Sequence, residues 1–173
     1  MKKLSLIVAF LTTITIQYSF AQLVPTLRED STKTTPFSQV LNSYLNVKKA
    51  LVTSDATNAA ARSGEFVKAI EGIDMKALSD SEHTVFSALQ DKLKANAQAI
   101  ASSDKIEVQR TAFSSLSNNI YSLAKGVKIS YTVVYQQYCP MKKMYWLSSE
   151  AAIKNPYYGK MMLTCGKVTD TLK

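Results

Sequence analysis

Histidine, cysteine, glycine and proline are all scarce in this sequence. Its 173 residues include one His, two Cys, five Gly and four Pro, and 20% are charged. A single histidine excludes sites that need two imidazoles, which removes most zinc hydrolases. Two cysteines are too few for a zinc ribbon or a disulfide-dense scaffold. Low-complexity disorder needs more charge or more Pro and Gly. The 46% of hydrophobic residues instead indicates one globular domain with a substantial core.

The first 21 residues have the pattern of an export signal. Lys2 and Lys3 give a positive start, an apolar stretch follows over 4–16, and Ser19 and Ala21 are the small residues that signal peptidase reads. The apolar run is shorter than the ~20 residues that span a bilayer. We therefore expect residues 1–21 to be a signal peptide and the mature protein to be periplasmic and soluble, with no membrane insertion.

The positive charge of the chain is spread along the sequence. The formal net charge is +8, of which Lys2 and Lys3 of the signal contribute two. Only three arginines are present, and no stretch has the clustered basic face that is typical of nucleic-acid binding. We expect a solvated basic surface and no nucleic-acid partner.

Four segments after the signal repeat apolar residues at intervals of three and four, as amphipathic helices do. The first predicted helix has Pro36 in its first turn and runs to Leu51, and the second has Asp55 as its N-cap. The third begins with a capping box at Ser79–Glu82. The fourth begins with a similar box at Asp104–Glu107 and ends near Gly126. Short polar connections favour an antiparallel up-down four-helix bundle. The polar segment 22–35 is expected to be flexible, and 36–173 to be a single domain.

The composition changes at about residue 130. The segment Tyr131–Tyr135 is β-branched and aromatic, which favours a strand. Both cysteines, the only Trp and four methionines lie beyond it. We expect residues 130–173 to form a small β or irregular cap, rich in Cys and Met, on a mainly α fold.

Two short segments of this cap carry soft sulfur ligands. Cys139 and Met141 lie in one, Met162 and Cys165 lie in the other, and the turn sequence Asn-Pro-Tyr-Tyr-Gly at 155–159 lies between them. If that turn folds the chain back, the thiols approach each other. Thiolates and thioethers select Cu(I) or Ag(I) over hard cations. The alternative stays open, because exported proteins with two cysteines commonly form a structural disulfide and methionines commonly fill cores.

Further residues complete the sequence-based hypotheses. Met161 is a second candidate thioether, and His83, on the first turn of the third helix, is either a borderline ligand or a surface histidine. Gln109 and Arg110 are candidates to hold the C-terminal segment by its backbone carbonyls. The lone histidine belongs to no Asp-His-Ser pattern, so we expect no enzyme activity.

The order of several motifs resembles an uncharacterised periplasmic domain family that occurs alone in exported proteins and attached to adaptor subunits of copper/silver efflux pumps. The C-terminal motifs are Cys139-Pro140-Met141, Trp146-Leu147-Ser148, Asn155-Pro156-Tyr157-Tyr158-Gly159 and Met162-Leu163-x-Cys165-Gly166. The helical motifs are Tyr44-Leu45-x-x-Lys48-x-Ala50-Leu51-Val52 and Gln109-Arg110-x-x-Phe113-x-x-Leu116-Ser117. The resemblance covers about residues 37–170.

This resemblance implies a role in handling copper or a similar soft metal in the cell envelope. Together with the sulfur ligands, it leads us to expect a binding protein for Cu(I) or Ag(I) that meets a heavy-metal efflux adaptor or another envelope protein. We expect the protein to be a monomer or weak dimer. The alternative is a metal-free, disulfide-stabilised interaction module. The metal site and the disulfide are compatible if the two thiols are reduced when metal is bound and form a disulfide when it is not.

Overall fold

A computed structural model describes residues 34–173 of the chain. The predicted signal peptide at 1–21 and nearly all of the predicted flexible segment at 22–35 lie outside the described residues. Within residues 34–173, none of the helices combines the length and the apolar character needed to cross a bilayer.

The described residues form a four-helix bundle with a C-terminal cap, as the sequence predicts. The helices are α1 (Ser38–Val52), α2 (Ala56–Glu71), α3 (Asp80–Ala101) and α4 (Ile106–Gly126). Each helix packs against the next in sequence, and their apolar faces meet in one core. Fully buried Phe66, Phe86 and Phe113 are among its largest side chains.

Two of the predicted helix starts are confirmed. The Asp55 carboxylate accepts a hydrogen bond from the Asn58 amide at 2.9 Å. At α3, Ser79 and Glu82 form the reciprocal capping box, with the Ser79 amide donating to the Glu82 carboxylate at 3.0 Å. Such caps satisfy amide groups that have no partner within the helix.

Two other predicted starts are wrong. Pro36 lies in a turn before α1 and not in its first turn, because the chain bends there through a bond from the Thr35 amide to the Ser38 hydroxyl. Asp104 does not cap α4, whose N-cap is Lys105 without a side-chain bond. The Ser103 hydroxyl accepts from the Lys105 amide instead, at 3.1 Å.

The cap is an antiparallel sheet of β1 (Val134–Cys139), β2 (Met144–Ser148) and β3 (Lys167–Leu172) in the order β2-β1-β3. The strand predicted at Tyr131–Tyr135 is therefore displaced, since β1 begins three residues later. The Ser130 hydroxyl accepts from the Thr132 amide and forms a local turn there, which competes with strand pairing.

The cap is joined to the bundle by buried polar groups. The Tyr44 hydroxyl of α1 lies 2.7 Å from the Ser117 hydroxyl of α4 and accepts from the Leu147 amide of β2 at 3.0 Å. The Tyr44 ring stacks on Phe113 with centroids 5.1 Å apart. Burial raises the pKa of Tyr44, so this phenol stays neutral and remains a donor.

Arg110 holds the C-terminal segment as expected, but Gln109 does not. The buried Arg110 guanidinium donates to the Pro156 carbonyl at 2.9 Å and to the Ser54 hydroxyl at 2.9 Å. It also pairs with Glu107 at 2.6 Å. Gln109 instead donates to the Ala56 carbonyl at the start of α2, to the Ile100 carbonyl at the end of α3, and to the Ser103 carbonyl in the α3–α4 connection. Because neighbouring residues of a helix point in different directions, only one of the two faces the cap.

Candidate functional site

The turn at 155–159 sets the position of the second cysteine segment. The Asn155 amide donates to the Leu163 carbonyl at 2.8 Å, and its side-chain amide donates to the Cys165 carbonyl at 2.8 Å. The Asn155 side-chain oxygen accepts from the Tyr157 amide at 2.8 Å. One buried asparagine thus shapes its own turn and fixes the backbone at Cys165.

Gly159 ends this turn where no side chain fits. Its φ of +56° lies in the left-handed region. A Cβ atom there would stand 2.5 Å from the Ser54 hydroxyl and 2.9 Å from the Arg110 guanidinium. The glycine therefore lets the turn lie directly against the bundle.

The structure brings the two thiols together. Cys139 is fully buried at the end of β1, Cys165 is partly buried just before β3, and neither is in a disulfide. The pKa of Cys165 is raised by loss of solvation, then by the charge of Cys139 and by a hydrogen bond with the Cys139 side chain. The Tyr138 carbonyl lies 3.0 Å from the position of a Cβ atom at Gly166, so the two cysteines lie in adjacent segments of the cap. The disulfide predicted by the alternative hypothesis is not formed in this structure.

A third sulfur lies beside Cys139. Met144 is the partner of Cys139 in the β1–β2 register and is half-buried against the core. Directly opposed residues of an antiparallel pair point to the same face, with Cβ atoms about 4.5–5.5 Å apart. The sequence analysis did not select Met144 as a ligand. A prediction of a four-residue hairpin loop over 140–143 would have paired Met144 with Cys139 from the sequence.

The other methionines are more open to solvent. Met141 lies in the β1–β2 turn and is 63% exposed, whereas Met161 and Met162 lie in a short 3-10 turn (Gly159–Met162) and are 76% and 37% exposed. The Met162 carbonyl accepts from the Cys165 amide at 3.1 Å, so its backbone adjoins the thiol segment. Only a change of side-chain orientation would add Met141 or Met161 to the pair.

Aromatic rings cover the buried thiol. Trp146 and Tyr157 are buried and meet edge to face with centroids 5.9 Å apart. The Tyr157 hydroxyl donates to the Tyr145 carbonyl. The pKa of Tyr157 is raised chiefly by burial, and the nearby Cys139 adds to this rise. Tyr157 also contacts Phe113 of α4, with ring centroids 6.0 Å apart, so these rings pack the cap against the bundle.

His83 is not brought to the thiols. It is exposed on the first turn of α3, and the neighbouring Val85 packs against Gly126 at the end of α4. The Lys142 ammonium, three residues beyond Cys139, lies 3.8 Å from Glu107 at the start of α4. The thiol pair and His83 thus lie at opposite ends of α4, because β1 runs back along the bundle instead of staying where the tail leaves it.

The remaining donor set is therefore purely sulfur. In the part of the chain that the structure describes, no group of three or more His, Cys, Asp or Glu side chains is placed to hold a metal ion. Two thiols with neighbouring thioethers match soft monovalent ions and offer Mg²⁺ or Ca²⁺ no oxygen ligands.

Fold and site together define a small helical-bundle protein with a β-sheet cap and a paired thiol beneath an aromatic cover. The chain belongs to the family described as "Protein of unknown function (DUF3347)", whose model matches residues 40–132. The match spans α1 to α4 and ends before β1, so it does not include the cysteine motifs. No curated protein matches the chain, and no solved structure does.

Proposed function

We propose that this protein binds one soft metal ion, Cu(I) or Ag(I), between Cys139 and Cys165. The observation that supports the proposal is that two free cysteines, with 25 residues between them in sequence, lie in adjacent segments at one end of the sheet, next to the paired residues Tyr138 and Lys167. Metal binding removes a proton from each thiol, because the thiolate is the ligand. The raised pKa of Cys165 without metal makes this proton release measurable.

A thioether completes the proposed site. Met144 is the best placed of the methionines, since it is half-buried opposite Cys139. Met141 and Met162, the ligands expected from sequence, would have to turn inward from exposed positions. A third sulfur ligand and the aromatic cover would limit access of water and oxidants to the ion.

A Cu(I) titration of the reduced protein against a coloured chelator, without oxygen, tests the proposal. We expect one Cu(I) per chain in the wild type and loss of this binding in Cys139→Ser and in Cys165→Ser. Met161→Leu and His83→Ala are matched controls, because the first side chain is exposed and the second lies at the other end of α4. No stoichiometric uptake by the wild type, or uptake that survives both serine variants, overturns the proposal.

The thioether is identified by a second set of variants. Met144→Leu should weaken Cu(I) binding about tenfold, the effect of roughly 1.4 kcal/mol. Met141→Leu and Met162→Leu should change it less if their side chains stay in solvent. A tenfold loss in Met162→Leu with none in Met144→Leu would assign the third ligand to Met162.

The neighbouring thiols also support a second candidate function, a disulfide-stabilised interaction module. Oxidation would join the two sulfur atoms and release two protons, with two electrons passing to the disulfide of an envelope thiol oxidase. Counting thiols in protein trapped with acid from the cell envelope separates the candidates. Two reactive thiols favour the metal site, and none favours the module.

We propose export to the periplasm and delivery of the ion to a heavy-metal efflux adaptor as the physiological setting. The pattern of residues 1–21 and the motif resemblance support this, and both lie in the sequence alone. Mass spectrometry of the mature protein should find Gln22 at the N-terminus. Transfer of Cu(I) from the loaded protein to a purified adaptor, faster than release to buffer, tests delivery.

A further inference from the structure

A cavity of about 410 Å³ lies at the end of β2 away from the thiol pair, between α1 and the loop that follows β2. Its volume falls within the range of about 300–1,000 Å³ that is usual for small-molecule sites. The residues lining it are Leu45, Asn46, Lys48, Lys49, Val52, Thr53, Ser149, Glu150 and Lys154.

The most unusual side chain of this cavity is Lys48, which is only 8% exposed. Lysine is almost never buried without a partner. The Lys48 ammonium has three N–H donors and, within the described residues, one hydrogen-bond acceptor, the Ser148 hydroxyl at 3.0 Å. It therefore faces the cavity with donor capacity to spare.

The charges around Lys48 leave the cavity positive. Glu150 is the acidic residue of its lining, and its carboxylate already contacts the Lys154 ammonium at 2.7 Å. Lys48 and Lys49 remain as two further positive charges on the α1 side. A buried ammonium without an adjacent carboxylate is costly, and an anion placed in the cavity would compensate it.

The wall opposite α1 is fixed in advance. The Gln137 side chain of β1 donates to the Glu150 carbonyl at 2.9 Å and to the Ala151 carbonyl at 3.1 Å. The Ser148 hydroxyl also accepts from the Glu150 amide at 3.1 Å. A preformed wall reduces the entropy lost when a ligand binds.

We propose that this cavity binds a small carboxylate with a short aliphatic body. Its carboxylate contacts the Lys48 ammonium, and its body packs on Leu45 and Val52, the apolar residues of the lining. Asn46, Thr53 and Ser149 add neutral polar groups to the lining. Burial lowers the pKa of Lys48 to about 8, because the attraction of the Glu150 carboxylate, which opposes this fall and is shared with Lys154, does not offset the lost solvation.

This site is independent of the proposed metal site, because Ser148 and Met144 are at opposite ends of β2. Calorimetry with hexanoate tests the proposal. We expect saturable binding, at least tenfold weaker in Lys48→Met and unchanged in Lys92→Met, which removes an exposed lysine of α3. Hexylammonium, of the same length and opposite charge, should not bind.

A second test of carboxylate binding uses only the wild-type protein, so it does not depend on whether Lys48→Met folds. Carbon-13 NMR of the wild type follows the Lys48 side chain through its titration, and hexanoate should raise its pKa. No saturable binding of hexanoate, an unmoved Lys48 pKa, or tighter binding of inorganic phosphate than of hexanoate overturns the proposal.

Discussion

The bundle (38–126) and the cap (134–172) are stabilised in different ways. Phenylalanine, leucine and isoleucine side chains from all four helices fill the bundle core. The cap is a small sheet whose outer face carries Tyr138 and Tyr145, in contact with centroids 4.6 Å apart. Three buried polar side chains of the bundle form hydrogen bonds with the cap. Tyr44 bonds to the Leu147 amide, Lys48 to the Ser148 hydroxyl and Arg110 to the Pro156 carbonyl.

This difference between bundle and cap indicates which substitutions should disturb the structure most. Apolar burial is non-directional and tolerates small shifts, whereas buried hydrogen bonds need their partners in place. The cap also buries Val134, Trp146, Leu147 and Tyr157 in the same apolar core as the helices, so the polar contacts of the bundle add directional restraints that set the positions of the cap backbone and of both thiols. Damage to those contacts should disturb the thiol pair before it unfolds the helices.

The largest expected effect comes from Arg110. Arg110→Met leaves the buried Pro156 carbonyl without its donor and should lower the free energy of unfolding by about 3–4 kcal/mol. Arg62→Met is the matched control, since this half-exposed arginine bonds to Asn58 and Glu65 of its own helix and should cost less than about 0.5 kcal/mol. Urea unfolding measures both. An equal loss in the two variants would contradict the proposed role of the buried guanidinium.

Lys48 should make stability depend on pH. Its pKa is about 8 in the folded protein and 10.5 as the ordinary value, so between these pH values the unfolded chain binds more protons. Stability of the wild type relative to Lys48→Met should therefore rise from pH 8 to 10.5, by up to about 3 kcal/mol. Urea unfolding of both proteins across this range measures the difference. A flat difference would show that Lys48 has an ordinary pKa.

The two glycines Gly159 and Gly64 should respond in opposite directions. Gly159→Ala places a methyl group 2.5 Å from the Ser54 hydroxyl at a positive φ and should destabilise the protein by about 1–3 kcal/mol. Gly64→Ala, in α2 with open space around it, should stabilise the protein by about 0.5–1 kcal/mol. Thermal unfolding followed by circular dichroism measures both signs. Destabilisation by both would show that the open space at Gly64 is not available.

The smallest effects distinguish the two predicted capping boxes of the bundle. Ser79→Ala removes a formed box and should cost about 1 kcal/mol. Asp104→Ala removes no cap, so its effect should stay within about 0.5 kcal/mol. Equal losses in urea unfolding would mean that Asp104 caps α4 in solution.

The helices were predictable because their apolar residues recur with the helical period over long segments. The cap was predictable as a change of composition, but its strand bounds were not. Gln137 illustrates the reason, since it is fully buried in β1 only because carbonyls at 150–152 accept from its side chain. Such long-range partners leave no local pattern in the sequence.

The candidate site was predictable only in part. The turn motif at 155–159 indicated that Cys165 returns toward Cys139, because Asn, Pro and Gly have strong local preferences. Met144 and Lys48 could not be selected, since the first depends on hairpin register and the second on how α1 meets the cap. The β1–β2 hairpin turn could not be located from residue preferences either. Lys143 in this turn has a left-handed φ of +55°, a conformation that residues other than glycine seldom adopt.

The hydroxyl of Tyr44 has a consequence for how the sheet meets other chains. Edge strands with free amides recruit further strands, and β2 and β3 are the two edges of this sheet. The Leu147 amide, one residue before the end of β2, is occupied by Tyr44, which obstructs strand addition at that edge. On β3 the Thr171 amide is likewise occupied, by the Asp170 carboxylate at 2.8 Å, so side chains obstruct strand addition at both edges of the sheet.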